Sequence, residues 1–314
     1  MKSVGGFCER KYTAAMLKRL KRCFTIFFIL LFISVAIPGK GSLAQDKKTF
    51  LWKVQSKTNT AYVLGSIHFM KKESYPLNEK IEHAFDSSDV LAVEANINDI
   101  SKIDFHKLVE TAIYPGPETL ENHVSRETYE LTRKEFEAFG IPLLLVNKQK
   151  PWFLALTLTS LRLIQLGFEP TYGIDFHFLS KADGKKKIRE LESIEYQINL
   201  LSNFTDQEQE TFLVYTLKDL DTLEQDADRL LRAWTNGDVK TIETIITKAI
   251  QEDRKMSSIY EKLVYERNRN ITSRIEEFLK TKETHFVVVG AGHLIGKRGI
   301  IELLREKGYS LEQM

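Results

Sequence analysis

Cysteine is nearly missing from this chain. There are two in 314 residues, Cys8 and Cys23, and both lie close to the start. From residue 45 onward there is no thiol. That stretch cannot be stapled by disulfides, use a cysteine nucleophile or build a zinc–thiolate site, so any metal there must be held by imidazole and carboxylate. Familiar catalytic signatures are missing too: no His-Glu-x-x-His, no Gly-x-Ser-x-Gly and no phosphate-binding loop. The glycines at 290 and 292 do not make a dinucleotide fingerprint, because its third glycine would fall on Ile295. An excess of one charge is also lacking, with 45 basic and 43 acidic residues. Residues 1–44 take 8 of the basic and 1 of the acidic residues, which leaves 37 and 42, a net of −5. The basicity belongs to the start, and nothing recommends nucleic acid as a partner.

The start reads as an address. Lys18, Arg19, Lys21 and Arg22 form a basic patch, Phe24 to Pro38 is almost wholly apolar, and Ser42-Leu-Ala44 offers small residues where a signal peptidase cuts. That order marks residues 1–44 as a secretory signal peptide. The rival is an uncleaved anchor, but the apolar run falls short of the roughly 20 residues of a spanning helix. Met16, just before the basic patch, is an alternative start. The expectation is an exported protein, periplasmic or extracellular, meeting a membrane only through this segment if it is retained.

Residues 45–314 can bury a sizeable core. Phe50–Gln55 and Thr60–Leu64 read as a hairpin across Lys57-Thr-Asn59. Pro76 opens a helix to Asp86 with Leu77, Ile81, Ala84 and Phe85 on one face, and Val90–Ala95 is a buried strand interrupted only by Glu94. Helices are expected over 101–114 and 125–139, and a buried one, apolar nearly all round, after Lys150-Pro-Trp152. Asp175 opens a further helix and either caps it or faces a site. A strand near 186–192 precedes a helical pattern from Thr205 to Lys280, broken at Asn236-Gly237 into two helical segments, in which Trp234 and the leucines at 213, 217, 220, 223 and 230 read as core. Residues 284–290 form a strand, 295–306 a helix, and Gly308–Leu311 a short last strand. The class is α/β. Two α/β halves, about 50–100 and 284–314, flank a largely helical middle of about 101–283.

Two stretches share one pattern. Ala61-Tyr-Val-Leu-Gly65-Ser-Ile-His68 and Val287-Val-Val-Gly290-Ala-Gly-His293 are each a strand, a glycine and a histidine three residues on. Ligand-bearing loops gather at the carboxyl ends of strands, so His68 and His293 are expected to meet at one sheet edge. A buried carboxylate needs a partner, which leaves Glu94 as an ion-pair member or as a third site residue. The other five histidines have no such context and read as surface or satisfied core. Imidazole plus carboxylate suits a divalent metal, manganese, cobalt or zinc, with open positions for water and substrate. Without a metal, a His–Glu pair could act as general base and orienter. Arg267 lies in the polar run Glu266-Arg-Asn-Arg-Asn270, which on its own reads as a solvated helix face.

In order along the chain, Trp52, Gly65-Ser-Ile-His68, Val93-Glu94, Lys150-Pro-Trp152, Tyr172-Gly-Ile-Asp175, Leu191-Glu192 with Gln197, Trp234, Gly237-Asp238, Arg267-Asn268 and Val289-Gly-Ala-Gly-His293 with Gly296 carry a resemblance. From Leu51 to Leu311 the chain resembles the TraB/GumN (PrgY-like) family, related to the Tiki metalloproteases. The resemblance implies an erythromycin-esterase/ChaN-like core sheet with a helical insertion. It also implies a metal-dependent peptidase or hydrolase site with His68, His293 and Glu94 on the metal, Glu94 and Arg267 catalytic, and a peptide or small molecule as substrate. PrgY-like members are associated with blocking peptide pheromones, so a peptide-capturing protein without turnover is the other expectation.

Overall fold

The computed structural model describes residues 48–99 and 104–314. The signal segment expected over residues 1–44 lies outside the described residues, as does the start of the helix expected from 101. The hairpin forms as β1 (Leu51–Gln55) and β2 (Thr60–Ser66), paired antiparallel with Leu51 opposite Leu64. Asn59 in its turn donates through Nδ2 to the carbonyls of Phe278, Thr281 and Glu283, tying the turn to the distant helix end before the next central strand.

α1 (Glu79–Asp86) begins three residues later than Pro76 suggests. Asn78 is the cap: its backbone is extended and its side chain accepts from the Lys80 N–H at 2.9 Å. Leu77, Ile81, Ala84 and Phe85 are all buried, so the expected face is correct although the boundary is not. β3 (Val90–Val93) is buried at every position, as a strand covered on both faces should be. α2 (Phe105–Ala112) and α3 (Arg126–Ala138) follow, capped by Asp104 and Ser125. α4 (Pro151–Gln165) is less enclosed than its composition suggests. Pro151, Trp152, Leu154, Ala155 and Leu158 are buried and Leu161 still packs against apolar neighbours, but Ile164 is 41% exposed, because the helix leaves the core in its last turn. Among the described residues no helix is long and apolar enough to cross a membrane.

α5 (Ile174–Ala182), β4 (Lys187–Glu190) and α6 (Ile194–Ser202) lead into α7 (Asp206–Asp219), α8 (Leu223–Thr235) and α9 (Val239–Glu252). Then α10 (Met256–Tyr260), a π turn over Glu261–Tyr265, and α11 (Glu266–Phe278) run on without a break. β5 (His285–Gly290) is followed by a single turn, α12 (Ala291–Leu294). The helix expected over 295–306 is interrupted. Gly296 takes φ +79°, and α13 (Ile300–Glu306) starts only after Gly299. β6 (Ser310–Gln313) ends the chain beside β1.

The result is a mixed six-stranded sheet, order β4-β3-β5-β2-β1-β6, flanked by helices. β4, β3, β5 and β2 are mutually parallel, so their carboxyl ends lie along one edge; on the far side β1 pairs antiparallel with β2, and β6 antiparallel with β1. Two large apolar cores and a small third one, around Phe204, Ala249, Met256 and Ile259, lie among the described residues. The first packs the sheet against Phe85, Phe178, Trp234, Ile271 and Ile275. The second, built from Phe136, Leu154, Leu158, Leu213, Leu217 and Leu220, belongs to the helical middle. Leu223 packs against the second core and Leu230 against the first.

Where α1 meets α5, Glu82 hydrogen-bonds His177 at 3.0 Å and forms an ion pair with Lys181. Burial works against the Glu82 charge, but these two partners prevail and lower its pKa from 4.5 to about 2. A depressed carboxylate pKa contributes stability that is complete above 4.5 and fades as pH falls toward 2. Thermal unfolding of Glu82→Gln against the native protein should therefore differ at neutral pH, and the difference should vanish near pH 2. A gap independent of pH would refute this.

Candidate active site at the carboxyl edge of the sheet

Parallel pairing sets the site. Ser66 at the end of β2 stands beside Gly290 at the end of β5, and on the other side of β5, Val93 of β3 stands beside Val288. His68, His293 and Glu94 therefore leave three adjacent strands at the same edge. Glu192, just past β4, joins them, and its N–H donates to the Glu94 carbonyl at 2.8 Å.

His68 is held from a fourth segment. The Ile174 N–H donates to the Ile67 carbonyl at 3.0 Å, which brings the start of α5 against the turn after β2. Gly173 is required there, since a β-carbon at that position would lie 2.2 Å from the His68 carbonyl oxygen. Asp175 then reaches His68: Nδ1 and Oδ2 are 2.7 Å apart. Asp175 makes no cap at the α5 N-terminus, so of its two sequence readings the structure selects the one that faces the site. The Asp175 charge outweighs the cost of burial and raises the His68 pKa to about 9. Of the His68 side-chain surface, 64% is open to solvent. Water on that face weakens the ion pair.

His293 is enclosed. Its Nδ1 meets Asn268 Oδ1 at 2.7 Å, and its Nε2 lies 3.8 Å from Glu94 Oε1. Burial lowers its pKa, against the opposing pull of Glu94. Glu94 is fully engaged: Oε1 accepts the Gly290 N–H at 2.6 Å, and Oε2 accepts from Gln197 at 3.0 Å and from Arg267. Burial alone would raise its pKa, but His293, Arg267, His68 and the Gly290 N–H overcome it and hold the carboxyl at about 2.

The solvated-face reading of Glu266–Asn270 is corrected. Glu266, Arg269 and Asn270 are exposed, but Arg267 and Asn268 are buried. Arg267 Nε donates to both Glu192 oxygens at 3.0 Å, Nη2 donates to Glu192 at 2.7 Å and to Glu94, and Nη1 donates to the Leu263 carbonyl at 3.0 Å. That carbonyl belongs to the π turn, an irregularity that recurs at functional sites. Arg267 is thus a clamp on two carboxylates, with one Nη1 hydrogen left over. Glu192 and Asn268 were not singled out as site residues from sequence. Glu192 carried a usable signal, because it follows a strand end as Glu94 does.

The donor set fits a divalent cation in its chemistry. Both histidines engage Nδ1 with an oxygen acceptor, leaving Nε2 for a ligand, as in metal sites whose imidazoles are oriented from behind. The charges fit as well. Asp175, Glu94 and Glu192 face Arg267, and with both imidazoles neutral, as metal ligation requires, two negative charges are left over. The ligands are not gathered, however: among the described residues no group of three or more His, Asp or Glu stands close enough to hold an ion.

Comparison with known proteins supplies the remaining context. The family model of the TraB/PrgY/gumN family matches residues 50–313. The uncharacterized protein YbaP of Escherichia coli (strain K12) is 26% identical over 78% of this chain and 87% of its own length. An uncharacterized protein of Treponema pallidum is 23% identical over 91% of each. Metalloprotease TIKI2 of Danio rerio is 19% identical over 85% of this chain but only 61% of its own length. No solved structure matches the chain. A family match spanning nearly all the described residues is decisive: the chain belongs to the TraB/PrgY/gumN family.

Proposed function

We propose that the protein is an exported metal-dependent hydrolase, most plainly of peptides, working from the carboxyl edge of its sheet. The observation that carries this is the convergence of His68, His293 and Glu94 from three adjacent strands around a surplus of negative charge. The distant likeness to proteins named metalloproteases supports it. His68 and His293 would hold the metal through Nε2, with Glu94 Oε1 as the third donor. The metal, manganese, cobalt or zinc, would supply an activated water and polarise the scissile carbonyl. Arg267 keeps Glu94 ionised and in place, and its spare Nη1 hydrogen is the one it can offer to a developing oxyanion. His68, wet and paired with Asp175, stands where substrate enters. The same reading takes residues 1–44 as the signal, periplasm or exterior as the location, and an erythromycin-esterase/ChaN-like core as the finer fold.

The ungathered ligands favour one alternative, a peptide-capturing protein with no turnover. Calorimetry separates the two. The purified protein should bind one of manganese, cobalt or zinc at one ion per chain, and a folded His68→Ala/His293→Ala variant should not. Equal binding by both, or by neither, removes the metal role; saturable peptide binding without cleaved product would then establish capture.

A further inference from the structure

Asn268 is wholly buried and makes two hydrogen bonds with different demands. Its Nδ2 lies 2.8 Å from the Arg298 carbonyl, in the loop between α12 and α13. A carbonyl can only accept, so the group facing it must be the amide nitrogen. That fixes the amide flip from the network itself. Oδ1 therefore faces His293, and because Oδ1 can only accept, His293 Nδ1 must carry the hydrogen. In the neutral ring the lone pair then sits on Nε2, on the side of Glu94. The Arg298 loop is itself held, by stacking of the Arg298 guanidinium 4.0 Å over the Tyr265 ring and by its ion pair with Glu261 at 2.7 Å. Both of those partners belong to the π turn that precedes Asn268.

We infer that Asn268 is a positioning residue: anchored on the Arg298 carbonyl, it locks His293 in the Nδ1–H tautomer so that Nε2 presents a lone pair to the site. This deepens the proposed function and rests on it only for what Nε2 ligates; the tautomer itself requires no metal. The two histidines are oriented by different means. Asp175 places a charge behind His68, whereas Asn268 orients His293 without adding one. A second carboxylate there would bury one more negative charge beside Glu94 and Glu192.

Two-bond 1H–15N NMR of the metal-free protein at about pH 8, well above the ordinary imidazole value, reads the tautomer directly. The native His293 signal should show a protonated Nδ1 and an unprotonated Nε2. In Asn268→Leu the Nε2–H form should appear, and affinity for whichever of zinc, cobalt or manganese the native protein binds should fall about 10- to 100-fold. Asn268→Asp, which keeps the acceptor but gives up the anchor on the Arg298 carbonyl, should keep Nδ1 protonated. An Nε2–H tautomer in the native protein overturns the inference, as does a folded Asn268→Leu variant that keeps the Nδ1–H form. If Asn268→Leu fails to fold, the native spectrum and Asn268→Asp still decide. If no metal binds but the native tautomer is Nδ1–H, the positioning role stands and the metallohydrolase reading falls.

Discussion

Arg267→Ala should destabilise the protein by about 3–5 kcal/mol, the cost of stranding a buried charge. Arg267 is the cation between Glu94 and Glu192, whose side chains are only 10% and 5% exposed. Truncating it leaves two buried carboxylates facing each other. They must then take up protons, admit water or push the strand ends apart. Against a total stability of about 5–15 kcal/mol, that loss is a large fraction. Arg267→Lys should recover only part of it, because a single ammonium cannot make the forked contact with two carboxylates. Urea unfolding of both variants checks this. A loss under about 1 kcal/mol for the alanine variant would mean that the clamp is mostly solvated and that the site is not the low-dielectric cluster described above. The triple variant Glu94→Gln/Glu192→Gln/Arg267→Met should be markedly more stable than Arg267→Ala, since it removes the stranded charges with their partner.

Trp234→Ala should cost a comparable 3–5 kcal/mol, about the usual figure for emptying a buried tryptophan site. Trp234 comes from α8 in the helical middle, yet it packs in the sheet core and its indole N–H donates to the Gly65 carbonyl at 2.6 Å. It therefore fastens the insertion to the turn that carries His68. Gly65 must be glycine for a related reason: a β-carbon there would lie 2.4 Å from the Phe50 ring. Trp234→Phe separates the two contributions. It keeps most of the packing and leaves the Gly65 carbonyl short of a donor, at a cost of about 1–3 kcal/mol. In both variants metal affinity should drop further than global unfolding explains, because the His68 turn loses its anchor. Unchanged affinity in a folded Trp234→Ala would show that the turn is held by the sheet and α5 alone.

Much of this protein was legible in the residues themselves. The run of β-branched residues before Gly290, the alternation before Gly65 and the pattern at Val90–Val93 are local, and local periodicity sets strands directly. That the two Gly-x-x-His turns would emerge at one edge followed from the gathering of ligand-bearing loops at the carboxyl ends of strands, and the parallel pairing of Ser66 with Gly290 places both turns there. Helix boundaries were less legible. Asn78 outcompeted Pro76 as the start of α1, and the glycines at 296 and 299 broke a helix whose apolar spacing was otherwise continuous.

The sequence by itself determined the strands, the two histidine turns, the absence of thiols from residue 45 onward and the membership of a family. Each of these lies in residue identity and short spacing. Only the tertiary structure decided which polar groups are buried together. Arg267 and Asn268 sit in a run as polar as any solvated helix face, and nothing in five residues distinguishes an inward arginine from an outward one. Their direction is set by carboxylates that arrive from β3 and β4, more than seventy residues away in the chain. The same holds for Asp175, whose choice between capping a helix and meeting His68 was made by the hydrogen bond from Ile174 to Ile67. Burial turns a charge that costs nothing in water into one that must be paired, and pairing is a property of the folded neighbourhood rather than of the local sequence.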